Sequence, residues 1–337
     1  MVKIAVVGAG ILGLSSAVQI QAAVPNARVT VIADKFAKNT TSDGAAGVFR
    51  PTLDLIKADP ELVRQWSQDG WDFYSSVAKS SDSAEAGIHL ISGFQVFNQP
   101  RERPIYHDIV YHFRDMTPQE LQHIPGNFRY GWFCTTLCIE SRWFLPWLMR
   151  KFRLNGGQVE HRTLHSLAEL ADTYDLVVNC SGLRAKTLVN DHKMYPARGQ
   201  MLRVEAPWQT HFIYDLDSGP YIIPCAGNVV VGGQRQVGNF NPEKDPKDTQ
   251  NLWEWGTQLS PSLKSAKLLW EWVGLRPHRD PPRVEMELLK LGSRLLKVIH
   301  NYGQGANGIT LGWGCSKHAT RLVLEALSLE KTKSSKL

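Results

Sequence analysis

The run Gly8-Ala9-Gly10-Ile11-Leu12-Gly13 follows an apolar stretch, Lys3–Val7, and opens a periodic segment reaching about Ala23. A second apolar stretch, Arg28–Ala33, then ends at Asp34. No other feature constrains the fold as tightly, because this order predicts one βαβ unit over residues 3–34. Each glycine has a mechanical task. Gly8 makes the tight turn, Gly10 lets a pyrophosphate approach the backbone, and Gly13 lets helix pack on strand. The helix start then offers free N–H groups and partial positive charge to phosphate. Asp34 lies 21 residues past Gly13, near the spacing of a carboxylate that binds ribose hydroxyls. The motif alone leaves FAD and NAD open.

At 337 residues the chain is long enough for about two domains. Its 11 Trp, 12 Phe and 9 Tyr can fill a core without disulfides. Five cysteines, with no CxxC pair and no interleaved histidines, argue against a stapled secreted fold and against a zinc site. The net charge of +6 is scattered rather than focused, so a solvated surface is expected rather than a nucleic-acid face. No segment has the apolar length of a signal peptide or a membrane span. The tail Ser335-Lys336-Leu337 reads as a peroxisomal address for an import receptor.

Beyond residue 34 the strand–helix alternation lapses. Leu62, Val63, Trp66, Phe73 and Tyr74 have near-helical spacing and predict a helix with a core face. Residues 89–115 and 196–235 carry short β-type runs, among them 94–97, 109–113 and a hairpin pairing 221–224 with 228–232 around a turn near Gly227-Asn228. These predict a mostly β domain interleaved with the nucleotide-binding one. A strand at 175–179 ends in Cys180-Ser181-Gly182, small residues suited to a ligand at a strand's carboxyl end. The glycine-rich loop from Gly303 to Thr310 leads into a last helix, whose Ala319, Leu322, Val323, Ala326 and Leu327 form a core stripe.

Tyr221 and Arg235 flank the hairpin, and Arg276 precedes Pro277, which holds it extended. Together with a dinucleotide motif and no hydrolase signature, these arginines suggest a carboxylate-bearing substrate and a difficult step that belongs to the cofactor.

Several ordered stretches resemble the D-amino-acid oxidase family: Val7–Leu14, Thr40-Thr41-Ser42-Asp43 with Ala45-Ala46-Gly47, 130–133, Val178-Asn179-Cys180, Arg198-Gly199-Gln200, 220–224, 274–277, 300–303 and the tail. The similarity covers nearly the whole chain. It implies FAD and an α/β fold with a Rossmann-type FAD-binding domain (1–50, 150–195 and 285–330). An interleaved substrate domain (51–149 and 196–284) and an exposed tail, 331–337, complete the division. It also implies oxidation of a D-amino acid by hydride transfer to flavin, with oxygen reduced to hydrogen peroxide. Carried over by position, Gly8, Gly10, Gly13, Asp34, Lys35, Thr40, Thr41, Ser42, Gly47, Ser181, Gly305, Ala306, Gly308, Ile309 and Thr310 would contact FAD. Arg276 and Tyr221 would hold the substrate α-carboxylate.

Arg235 resembles the members of the family that oxidise acidic substrates, as does the short segment 211–221, so D-aspartate is the expected substrate and D-glutamate a further one. One departure is Tyr214, where mammalian members of that group carry an arginine. Arg50 is a candidate second anchor. The alternatives are an oxidase of neutral D-amino acids, a non-catalytic flavin-binding protein and an NAD-dependent dehydrogenase.

Overall fold

The structure is a computed structural model that describes residues 1–291 and 294–334. The chain opens with β1 (Lys3–Val7), α1 (Ile11–Ala23) and β2 (Arg28–Ala33). Then come α2 (Pro60–Ala78), α3 (Ser83–Ala86), β3 (Ile88–Phe97), β4 (Tyr111–Asp115), α4 (Pro118–Gln122), β5 (Tyr130–Ile139) and α5 (Ser141–Leu154). They are followed by β6 (Gln158–His161), β7 (Leu176–Asn179), α6 (Ala185–Leu188), β8 (Tyr195–Glu205) and β9 (Phe212–Asp215). Next are β10 (Tyr221–Cys225), β11 (Asn228–Gly232), β12 (Gln236–Val237) and α7 (Pro246–Leu259). The chain finishes with β13 (Lys267–Leu291), β14 (Arg294–Gln304) and α8 (Gly308–Ser334).

The strands join one sheet in the order β4-β5-β3-β9-β10-β11-β8-β13-β14-β7-β1-β2-β6, with β12 paired to β8. Its last five members, β14-β7-β1-β2-β6, are all parallel. That block is the expected Rossmann-type half. β1 shows why its sequence is unbroken in hydrophobicity. Ile4 and Val6 pack among α1, α2, α5 and α8, while Ala5 and Val7 pack with Leu164, Leu167 and Leu170 on the opposite face. A strand covered on both sides has no polar face to alternate with.

The rest of the sheet is the expected β-rich half, antiparallel except where β3 runs parallel to β9. Leu202, Val204, Ile222, Val229 and Val231 bury one face of it against Leu252 and Leu259 of α7. The long β13 pairs with β8 over its first part and with β14 over its second, so it joins the two halves, and the boundary drawn at 284–285 falls inside this strand.

Two sequence expectations shift slightly. Ile109 and Val110 donate their N–H groups back to the Tyr106 carbonyl, closing a turn, so the strand expected at 109–113 begins pairing only at Tyr111. The hairpin turn is Ala226-Gly227, one residue earlier than expected, with Gly227 at φ +79°. All five cysteines are free thiols, and all but Cys225 are buried. Among the described residues, no helix is long and apolar enough to cross a membrane.

Candidate active site

β1 pairs with β2 on one side and β7 on the other. The chain reverses its direction of winding between them, and the carboxyl ends of such strands leave a crevice where ligands bind. A cavity of about 1710 Å³ opens there and runs on to β10, β11 and β13. Ordinary small-molecule pockets are roughly 300–1,000 Å³, so this one has room for a dinucleotide and a substrate together.

At the nucleotide end the walls are backbone. Gly8 has φ +108°, and a Cβ there would lie 2.4 Å from the Cys180 carbonyl oxygen. A Cβ on Gly13 would lie 1.9 Å from the Gly8 carbonyl oxygen, so Gly13 serves helix–strand packing and does not line the cavity. The N-cap residue of α1, Gly10, has no side chain to cap it, and the first N–H, at Ile11, donates to Ser42 Oγ at 3.1 Å. The remaining N–H groups of that turn suit a phosphate. Asp34 borders the cavity with one carboxylate oxygen held 2.7 Å from Arg184 Nη1, a pairing that orients it for a ribose. The Ser181 hydroxyl is buried and has no hydrogen-bond partner among the described residues. Glycines that no larger residue can replace, an open helix start and an orphaned hydroxyl together fit the ADP half of FAD.

Further along, Lys35, Thr40, Thr41, Ser42 and Gly47 line the same cavity. Gly47, at φ +78°, would carry a Cβ 1.9 Å from the Ile139 carbonyl oxygen, so glycine lets this segment close onto β5. Gly305, Ala306, Gly308, Ile309 and Thr310 form the opposite wall at the start of α8. Thr310 Oγ1 donates to the Val48 carbonyl at 3.4 Å, tying that wall to the 47–52 segment. The turn at Gly305 rests on His278, whose ring would be 2.2 Å from a Cβ there. Burial, with the charges of Arg235 and Arg276 added, pushes His278 down to about 4, so it is a neutral imidazole at pH 7.

At the far end, side chains take over. Glycines on neighbouring strands clear their space. Gly199 on β8 lies under Arg276, where a Cβ would sit 2.1 Å from Nη1, and Gly232 on β11 lies under Tyr221, where it would sit 2.4 Å from the phenol oxygen. Arg276 Nη1 donates to the Gln234 carbonyl at 3.2 Å. Tyr221 packs 5.1 Å from Tyr214 between ring centroids. Trp272, wedged between Gly44 and Gly274, walls this end. Arg235 lines the cavity from an exposed position at its rim.

The structure therefore brings every expected site residue except Gly13 to one cavity. The sequence reading missed Arg184, Trp272 and His278. For Trp272 and His278 the available signal was indirect: at Gly44, Gly274 and Gly305 a Cβ would collide with these rings. Among the described residues, no cluster of histidine, cysteine or acidic residues could hold a metal ion.

The model of the DAO family, described as FAD dependent oxidoreductase, matches residues 3–322. The chain is 40% identical over 332 residues to a D-aspartate oxidase of Homo sapiens, covering 98% of this chain and 97% of that one. It is 35% identical over 339 residues to D-aspartate oxidase 1 of Caenorhabditis elegans, covering 98% and 99%. Among solved structures, a glycine oxidase from Geobacillus kaustophilus superposes with a TM-score of 0.77 at 19% identity, over 96% of this chain and 95% of that one.

Proposed function

The chain belongs to the DAO family of FAD-dependent oxidoreductases, and from that premise we propose that it oxidises acidic D-amino acids, D-aspartate first and D-glutamate second. The products would be the 2-oxo acid, ammonia and hydrogen peroxide. The observation that carries this reading is the charge of the cavity's substrate end. Arg50, Arg235 and Arg276 all border it, and none of them forms a carboxylate ion pair among the described residues. Guanidinium groups left without anions suit a substrate that brings two.

FAD, when bound, supplies the hydride acceptor and passes the electrons to oxygen. The chain's own residues do the positioning. Arg276 has one Nη engaged by the Gln234 carbonyl and presents the rest of its fork to the substrate α-carboxylate. Tyr221, held in line by its pairing with Gly232, adds a phenol hydrogen bond. Arg235 supplies positive charge for the side-chain carboxylate from the rim. With both acid groups held, the substrate Cα is kept in one orientation, and no side chain is required to take a proton from it once the amine is neutral. Gly8, Gly10 and Asp34 would hold the ADP half, with Gly13 letting the helix pack on its strand, and the wall from Gly305 to Thr310 would hold the flavin half.

The division into an FAD half on the parallel block and a substrate half on the antiparallel arm belongs to the same proposal. So does the peroxisomal address at Ser335-Lys336-Leu337, which lies outside the described residues. Its support is chemical, since a peroxide-forming enzyme suits a compartment that handles peroxide. Removing those three residues should leave the protein in the cytosol. The decisive test is anaerobic bleaching of the bound flavin by a panel of D-amino acids. D-aspartate should bleach it faster than D-alanine. Faster bleaching by D-alanine would favour an oxidase of neutral substrates, and no bleaching by either would reject turnover.

A further inference from the structure

Arg50 is a half-buried charged group of the cavity with no carboxylate partner among the described residues. It follows Phe49 and precedes Pro51, so its backbone is kept extended. The segment is clamped at both ends. Phe49 N–H donates to the Leu137 carbonyl at 2.8 Å, and Asn307 exchanges two hydrogen bonds with the Thr52 backbone, at 3.1 and 3.0 Å. The guanidinium lies 4.3 Å over the Tyr214 ring, and the phenols of Tyr106 and Tyr214 are the polar groups that favour its charge. Tyr106 spends its own O–H on Gln95 Oε1, at 2.7 Å, so its oxygen is free to accept from Arg50.

Burial works against the charge of Arg50, and the two phenol oxygens more than offset it, so the group stays cationic. Burial also pushes both phenols up, so neither becomes a counter-ion near neutral pH. A rigidly held, half-buried cation bordering a cavity is costly until an anion meets it. Arg50 and Arg276 also lie on opposite sides of Tyr221. Tyr214, which carries Arg50, packs on one side, while Gln234, which holds Arg276, follows Gly232 and Gly233 on the other.

We propose that Arg50, cradled by Tyr106 and Tyr214, binds the side-chain carboxylate of the substrate and sets the preference for acidic D-amino acids, with Arg235 a weaker contributor at the rim. The inference rests on the activity proposed above and assigns its specificity to a half-buried residue. Arg235 is exposed, and water screens a rim charge far more than an enclosed one.

The test compares wild-type holoenzyme with Arg50→Leu, Arg50→Lys and Arg235→Leu. Each is assayed for the ratio of kcat/KM on D-aspartate to that on D-alanine, and for the dissociation constants of malonate and acetate read from the flavin absorbance. Arg50→Leu should lower the ratio by about 30-fold or more and weaken malonate far more than acetate. Arg50→Lys should recover part of both, and Arg235→Leu should change them less than Arg50→Leu does. An unchanged ratio in Arg50→Leu, or a larger loss in Arg235→Leu, overturns the assignment. So does Arg50→Leu that loses its flavin while any retained holoenzyme keeps the wild-type ratio, because the guanidinium would then serve the cofactor. If wild type prefers D-alanine, it is the proposed activity that fails, and malonate binding still reports on Arg50.

Discussion

The two ends of the cavity are built by different means. The nucleotide end is backbone from a short continuous run, Gly8 to Leu12, closed by Asp34 and by Ser181 after β7. The substrate end is side chains from segments far apart in the chain: Arg50 after the 45–49 segment, Tyr221 on β10, Arg235 after β11 and Arg276 on β13. A backbone site tolerates little substitution, because atoms of the main chain cannot move aside. A side-chain site can exchange its contacts one at a time, and so can change specificity without losing the fold. On this view, damage at the nucleotide end removes the holoenzyme, whereas damage at the substrate end is graded.

The harshest trial of this contrast is Gly13→Val. With the Gly8 carbonyl 1.9 Å from even a Cβ, the helix must lift off β1. The expected cost is about 3 kcal/mol or more together with loss of bound flavin, both read from thermal unfolding and visible absorbance. A yellow, stable variant would break the contrast. Arg276→Leu comes next. It should keep its flavin but lose about 30- to 5,000-fold in kcat/KM on D-aspartate and D-alanine alike, the range expected when one partner of an enclosed charge pair is removed.

Acidification probes the seam between the two ends. His278, under Gly305 and beside Arg276, and His300, beside Glu287, are both pushed down to about 4, chiefly by burial. For His300 the contact with Glu287 at 2.9 Å pulls the other way and is outweighed. Between pH 6.5 and 4 the unfolded chain then binds more protons than the fold does. Stability is therefore full above about pH 6.5 and drains as the pH falls towards 4, by up to about 1.4 kcal/mol per pH unit for each histidine. Denaturant unfolding at pH 7 and pH 4.5 should show this loss, and His278→Asn should reduce it. The smallest effect should be Tyr221→Phe, which removes one neutral hydroxyl and costs about 0.5–1.5 kcal/mol, roughly 2- to 13-fold in kcat/KM, without altering flavin content.

Much of the nucleotide end was legible in the sequence. Gly8, Gly10, Gly13 and Asp34 stand in a local order whose geometry is set by one strand–turn–helix, so their spacing carried the inference. The resemblance to a family supplied the residues after 40 and after 303, which no local pattern could have joined to the first motif. What remained hidden was mutual. Arg184 orients Asp34 across 150 residues, and His278 supports the turn at Gly305. Neither pattern nor spacing registers such pairs, because sheet order alone makes them neighbours.

The amino-acid sequence by itself determined the βαβ opening with its dinucleotide motif and the family, since each depends on contacts within a few turns of chain or on many ordered matches. Only the tertiary structure decided which guanidinium is half-buried and which is exposed at the rim. Arg235 is three residues beyond the end of β11 and reaches solvent, whereas Arg50, unremarked by any motif, is carried inward by Phe49, Pro51 and the clamp of Asn307. Burial is a property of everything that packs around a residue, and for Arg50 that means Tyr106, Tyr214 and Gln95, brought together from three separate stretches of the chain.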